Sequence, residues 1–207
     1  MQGKKILSPK NLPKGPWEIL LKHAFAIMDD LEKHGGIKNP FWTFGGGTVL
    51  MLRIGHRQSK DIDLFVTDPQ YLGYVNPRLS DVAEQVSADY EEHAEFIKFF
   101  LPKGEIDIVV GASLTKPAFD RVSYAGRKIK LETCAEIIAK KMWHRGNQAK
   151  ARDLFDLCAV ALAEPEAIKI AAPFFKKHGA AFLKRLEERS QFIEAEFNAI
   201  DALGFQQ

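Results

Sequence analysis

The sequence predicts an α+β protein: a strand-rich part with its own N-terminal helix over residues 1–131, followed by a helical part over 132–207. Three observations predict it. Short β-branched and aromatic runs bounded by Gly, Pro and Asn recur between residues 41 and 131. After Thr133 they give way to Ala, Leu, Glu and Lys at helical spacing. Around residues 41–66 the order strand, glycine turn, helix, strand is readable from residue type alone. With 46% hydrophobic residues in 207, the chain can bury a core without disulfide or metal staples.

Residues 17–34 place Ile19, Leu20, His23, Ile27 and Leu31 on one helical face, and Gly35-Gly36 stops the pattern. FWTF at 41–44 reads as a short strand. Gly45-Gly46-Gly47-Thr48 is a turn, and VLMLRIGH after it is a helix. DIDLFV at 61–66 is a second strand, residues 68–77 have loop composition, and residues 79–88 make a short helix. The runs 94–102 and 105–112 flank Lys103-Gly104 and predict a hairpin, and residues 121–131 are strand-like around a turn at Ala125-Gly126. Thr133 followed by Glu136 is a capping-box signature opening a helix over 133–145. Helices over 150–163, 166–178 and 181–200 follow, with Pro173 bending or splitting one of them.

Composition excludes several classes. At 27% charged residues the chain is neither a disordered nor a fibrous type. The lysine-bearing start lacks the apolar run of a signal peptide, and nowhere do ~18 uncharged apolar residues stand together. A cytoplasmic protein without a membrane partner is expected. Cys134 and Cys158 fall in helical sequence with no CxxC pair, so both are expected to be reduced core thiols. Charge is uneven: residues 1–120 carry 14 basic against 16 acidic side chains, residues 121–191 carry 15 against 8, and residues 192–207 carry 0 against 3. A basic second half beside an acidic site suits a polyanionic substrate, and it also suits a solvated helical surface.

The sharpest feature is Gly46-Gly47-Thr48 followed, after twelve residues, by Asp61-Ile62-Asp63. The side-chain period of a strand is two, so Asp61 and Asp63 project from one face, where two carboxylates can chelate a hard cation. Mg²⁺, with Mn²⁺ as the alternative, fits oxygen ligands and accepts phosphate oxygens as the remainder. Glycines before the pair let backbone N–H groups approach a triphosphate, and Thr48 adds a hydroxyl donor. Asp107, in EIDIVV, supplies a third carboxylate if its strand pairs beside 61–66, and Glu105 on the same face is its rival. Three converging carboxylates would hold two ions ~4 Å apart. Arg57 and Ser59 are placed to contact phosphates or to fix the aspartates, whereas Arg53 and Lys60 read as exposed and His56 as the end of a helix.

The stretch GGGTVLMLRIGHRQSKDIDLF (45–65) resembles the signature of the AbiEii/AbiGii-type nucleotidyltransferases, the toxin class of type IV toxin–antitoxin systems within the DNA polymerase β-like superfamily. EIIAKKMWHRGNQAKARDLFDL (136–157) resembles that family's downstream motif, and the likeness covers roughly residues 40–160. It implies a polymerase β-like core, a mixed sheet with flanking helices, followed by a C-terminal helical bundle. In that pattern Gly46, Gly47 and Thr48 grip the nucleotide, Asp61 and Asp63 are the metal pair, Lys141 is the lysine, and Arg152, Asp153 and Asp156 lie on the last helix. From the residues themselves, Lys140 competes with Lys141, and Asp156 is equally an internal salt-bridge partner between two helices.

The implied activity is transfer of a nucleoside monophosphate from a nucleoside triphosphate to an acceptor hydroxyl, with RNA or tRNA ends as acceptor, growth inhibition as the effect and an antitoxin encoded nearby. A small molecule or protein side chain as acceptor, or a nucleotide-binding module without turnover, are the alternatives. Retention of three mutually repelling carboxylates argues against the last.

Overall fold

The computed structural model describes residues 14–203. The lysine-bearing stretch 1–13, on which the signal-peptide expectation rested, lies outside the described residues, as do 204–207. The order is α1 (Trp17–Lys33), β1 (Trp42–Gly45), α2 (Gly46–Ile54), β2 (Ile62–Val66), α3 (Tyr71–Tyr74), α4 (Asp81–Val86), β3 (Tyr90–His93), β4 (Phe96–Leu101), β5 (Gly104–Val110), β6 (Phe119–Tyr124) and β7 (Arg127–Glu132). Then come α5 (Cys134–Arg145), α6 (Ala151–Ala163), α7 (Pro165–Ala171), α8 (Gly179–Glu188) and α9 (Ser190–Asn198).

The strands form one seven-stranded mixed sheet in the order β3-β4-β5-β2-β1-β7-β6. β2 runs parallel to β5 and β1 parallel to β7, and the other neighbours are antiparallel. Period-two alternation sorts the central strands into two faces. Ile62, Leu64, Val66, Ile97, Phe99, Ile106 and Ile108 are fully buried. α1 packs on β2 and β5 and buries Leu20, Leu21, Ala24, Ile27, Met28 and Leu31. Each large side chain so buried contributes about 1.5–3 kcal/mol, which fixes the register and forces the intervening Asp63, Phe65, Lys98, Asp107 and Val109 onto the opposite face. On the other flank of the sheet, α2 packs on β1 and β2 and contacts α5 and α6.

Several local expectations change. β3, with sequence YEEH, has no strand-like pattern; its charges suit an edge strand, and it forms by pairing with β4. The 68–77 loop contains the helical turn α3. Thr133 does cap α5, accepting from the Glu136 amide at 3.1 Å, but the Glu136 carboxylate accepts from the Leu114 and Thr115 amides instead of reaching back. Pro173 ends α7 in a 3-10 turn. The helix expected over 181–200 breaks at Arg189, because α8 packs on the 146–148 turn while α9 packs on α6, and one straight rod cannot do both. Cys134 is buried, but Cys158 is exposed and is not a core thiol. No helix among the described residues is long and apolar enough to cross a membrane.

Candidate active site

The parallel register of β2 and β5 sets Asp63 directly opposite Asp107. On its other side Asp63 faces Gly45 of β1, and Asp107 faces Lys98 of β4. Glu105 lies one side-chain step away, salt-bridged to Lys98 at 2.8 Å, so the register selects Asp107 over Glu105 as the partner of Asp63. Asp61 precedes β2, and its Oδ1 accepts from the Glu105 amide at 3.0 Å. A cavity of about 180 Å³ opens over these groups, and Asp61, Asp63, Asp107, Lys98, Lys141 and Arg145 all line it.

The glycine turn is shaped around Asp63. Gly46 has φ +72, and a Cβ there would lie 1.8 Å from Asp63 Oδ2. At Gly47 a Cβ would come within 2.8 Å of the Arg57 guanidinium and 3.1 Å of Ser59 Oγ. Gly47, Arg57 and Ser59 therefore line the cavity together with Asp61. Thr48 behaves differently. It is fully buried, its hydroxyl donates to the Asp61 carbonyl at 2.6 Å, and it lies 3.0 Å from Ser59 Oγ. It positions the Asp61 backbone where the sequence reading had it facing a phosphate.

The second block closes the opposite wall through buried ion pairs. Lys141 Nζ lies 2.6 Å from Asp153 Oδ1 and 2.7 Å from Asp156 Oδ2. Asp156, fully buried, also receives Arg57 Nε at 2.7 Å and His56 Nε2 at 2.7 Å. The internal salt-bridge reading of Asp156 is thus the observed one, and through it α6 is tied to the segment after α2. Asp153 holds Arg145 at 2.8 and 2.9 Å. Arg152 is exposed and stands at the cavity rim. Lys140 points elsewhere: it pairs with Glu132 at 2.5 Å and sits 3.6 Å over the Phe65 ring, so of the two neighbouring lysines it is Lys141 that lines the cavity.

His56 follows the α2 C-cap at Gly55, as read, but is fully buried, and Arg53, expected to be exposed, is held by the Leu131 and Glu132 carbonyls and Asp120. Lys60 is exposed, as expected.

Electrostatics follow from burial. Desolvation and then the Asp63 charge push the Asp107 carboxyl up to about 7. Burial raises Asp63 too, against the pull of Arg145 and Lys141. Burial alone would raise Asp156, but Lys141, His56 and Arg57 overcome it and hold the carboxyl well below its ordinary range. Burial lowers His56, so the ring is neutral near pH 7.

The cavity floor carries the Asp63 and Asp107 carboxylates with Lys98 Nζ 3.5 Å from Asp107 Oδ2, and Asp107 Oδ1 is buried with no hydrogen-bond partner. Paired carboxylates with an unpartnered oxygen fit a hard divalent cation. Among the described residues no three His, Cys, Asp or Glu side chains come together closely enough to hold a metal unaided. The converging ring of three is therefore a facing pair, Asp63 and Asp107, with Asp61 alongside and engaged by an amide.

A protein-family model described as "Nucleotidyl transferase AbiEii toxin, Type IV TA system" matches residues 34–207. The chain belongs to the AbiEii nucleotidyltransferase family. No curated protein matches its sequence. Among solved structures, the solution structure of the antibiotic-resistance factor ANT(2'')-Ia is 14% identical, with a TM-score of 0.55 and coverage of 83% of this chain and 99% of that one. ANT(2'')-Ia crystallised with adenylyl-2''-tobramycin is 13% identical, with a TM-score of 0.51 and coverage of 77% and 99%. At such identities the likeness is one of fold, and the AbiEii chain has the nucleotidyltransferase fold.

Three groups of this AbiEii cavity escaped the sequence. Lys98 reaches Asp107 at 3.5 Å across a strand pair, Arg145 is brought in by Asp153, and Lys150 reaches the rim from the turn before α6. For Arg145 a signal existed, since it lies one helical turn beyond Lys141 on the same face of α5.

Proposed function

We propose that the chain moves a nucleoside monophosphate from a nucleoside triphosphate to a hydroxyl at an RNA end, with a divalent ion, Mg²⁺ or Mn²⁺, seated by Asp63 and Asp107. The observation that carries the reading is the in-register facing pair on adjacent parallel strands, with Lys141 and Arg145 across the cavity. When bound, the ion supplies positive charge at the reacting phosphorus. The protein's own groups do the rest. The Gly47 backbone, Ser59 and Arg57 face the leaving pyrophosphate at the Asp61 end. Lys141 and Arg145, oriented by Asp153 and Asp156, offset charge building on the phosphoryl oxygens. The acceptor oxygen forms its bond to the α-phosphorus as the α–β bridging P–O bond breaks; pyrophosphate leaves with that electron pair, and the acceptor proton passes to solvent.

RNA as acceptor is supported by two cavities that adjoin the catalytic one, of about 380 and 640 Å³, with Arg57 and Arg152 lining all three. Lys14, Lys60, Lys150, Arg152 and Arg189 line them, and none forms an ion pair with another described residue. Cations without an ion-pair partner among the described residues, set around a transfer site, favour a polyanion. Growth inhibition, and control by an antitoxin partner, follow from the same reading through the family. A second reading keeps the chemistry and takes a small acceptor, as ANT(2'')-Ia holds adenylyl-2''-tobramycin.

The test is incubation with Mg²⁺, each of four α-labelled triphosphates and total RNA. Acid-insoluble label from one triphosphate, with transfer weakening steeply as salt rises, is the expected result. Label remaining acid-soluble with every triphosphate would overturn the RNA reading.

A further inference from the structure

Resting on that reading, we propose that Phe96 and Val109, bounded by Phe65, form a stacking platform that takes the terminal nucleobase of the RNA acceptor. Strand register places the three side chains in one row. Phe65 pairs with Val109 in the parallel β2–β5 ladder, and Val109 pairs with Phe96 in the antiparallel β5–β4 ladder. The neighbouring row on the same face is Asp63, Asp107 and Lys98, two residues or about 6.6 Å away along the strands. The row beyond that is Asp61, Glu105 and Phe100.

The three apolar side chains are only half-buried, whereas Leu64, Ile97 and Ile108 between them on the opposite face are fully buried. At one end His93 of β3 stacks on Phe96 with ring centroids 4.5 Å apart and planes at 24°, which widens the aromatic surface. At the other end the Lys140 ammonium covers the Phe65 ring at 3.6 Å, so Phe65 closes the strip and the Phe96 ring is the surface left for stacking. The strip has the chemistry of a stacking surface, for which every base offers a face.

In-line transfer decides which ring it takes. β1 runs antiparallel to β2, with Gly45 opposite Asp63, so the chain continues from Gly45 through Gly46 and Gly47 toward Asp61. The leaving pyrophosphate is therefore held at the Asp61 end. The attacking oxygen must approach from the opposite side of the phosphorus. That side is the Phe65–Val109–Phe96 row, and an attacking ribose there brings its own base onto the platform.

The experiment compares two RNA oligonucleotides with the same 3'-terminal ribose hydroxyl, one ending in a normal base and one ending in an abasic ribose. Wild-type protein is expected to favour the base-bearing end about tenfold in kcat/KM, the scale of one base–aromatic stack. Phe96→Leu, which keeps bulk and an apolar strand residue while removing the ring, should lower that ratio severalfold. Affinity for a nonhydrolysable triphosphate alone should hold. Equal labelling of both ends by wild type, or an unchanged preference in Phe96→Leu, overturns the platform while the RNA reading stands. A loss of triphosphate affinity in Phe96→Leu overturns it as well, by placing the nucleotide's own base there. If wild type labels neither oligonucleotide nor any other RNA, it is the acceptor reading itself that fails.

Discussion

Gly46→Ala perturbs the site at its narrowest point. A residue with a side chain at φ +72 carries left-handed strain of about 1–2 kcal/mol. The added Cβ would lie 1.8 Å from Asp63 Oδ2 and 2.4 Å from Asp63 Cγ, so the carboxylate must leave its rotamer, at a further cost of about 0.5–1.5 kcal/mol. Together these give about 1.5–3.5 kcal/mol, which for a domain of this size lowers Tm by roughly 3–14 °C. Activity suffers more than stability. Displacing a reacting or ion-holding group by about 1 Å lowers turnover on the order of 100-fold. Thermal melts and label transfer from an α-labelled triphosphate measure both effects. A Gly46→Ala protein that melts with wild type and transfers label at the wild-type rate would refute the close approach of this turn to Asp63.

Further outcomes follow from the ion-pair geometry. Lys141→Met should cut label transfer by two orders of magnitude or more, while Lys140→Met, which breaks the pair with Glu132 outside the cavity, should act mainly on Tm; equal effects on transfer would contradict the assignment. Arg145→Ala should lower kcat with little change in triphosphate affinity, measured by single-turnover kinetics. Asp156→Asn leaves Arg57 and Lys141 without their shared buried counter-charge and should destabilise by about 3–5 kcal/mol in urea titration. Asp156 is depressed in the folded state, so its contribution is present above the ordinary Asp value near 3.8 and lost as pH falls below it; the Asn variant should show a shallower loss of stability in that acid range.

Much of the fold was legible because it is local. The alternation in 61–66 and 105–110, the glycine turn and the Lys103-Gly104 hairpin each lie within a few residues of one another, and all appear in the structure. β3 was not legible, because its strand character comes from pairing with β4 and not from its own residues. The site divides the same way. The facing of Asp63 and Asp107 follows from the alternation once β2 and β5 are neighbours, and α1 packing on both enforces this. The hub at Asp156 joins residues 100 positions apart, so no window of sequence shows His56 or Arg57 bonded there. Thr48 illustrates the converse: the motif singles it out, but burial turns its hydroxyl onto the Asp61 carbonyl.

The account is tested most directly by titrating Mn²⁺ into the protein in the presence of a nonhydrolysable triphosphate and following free ion by electron paramagnetic resonance. Wild type should take up ion with the triphosphate bound, and Asp63→Asn and Asp107→Asn should each lose that uptake while their melting temperatures stay at or above wild type, since each removes one of two repelling buried carboxylates. Undiminished ion uptake by both variants would contradict the seat proposed between β2 and β5.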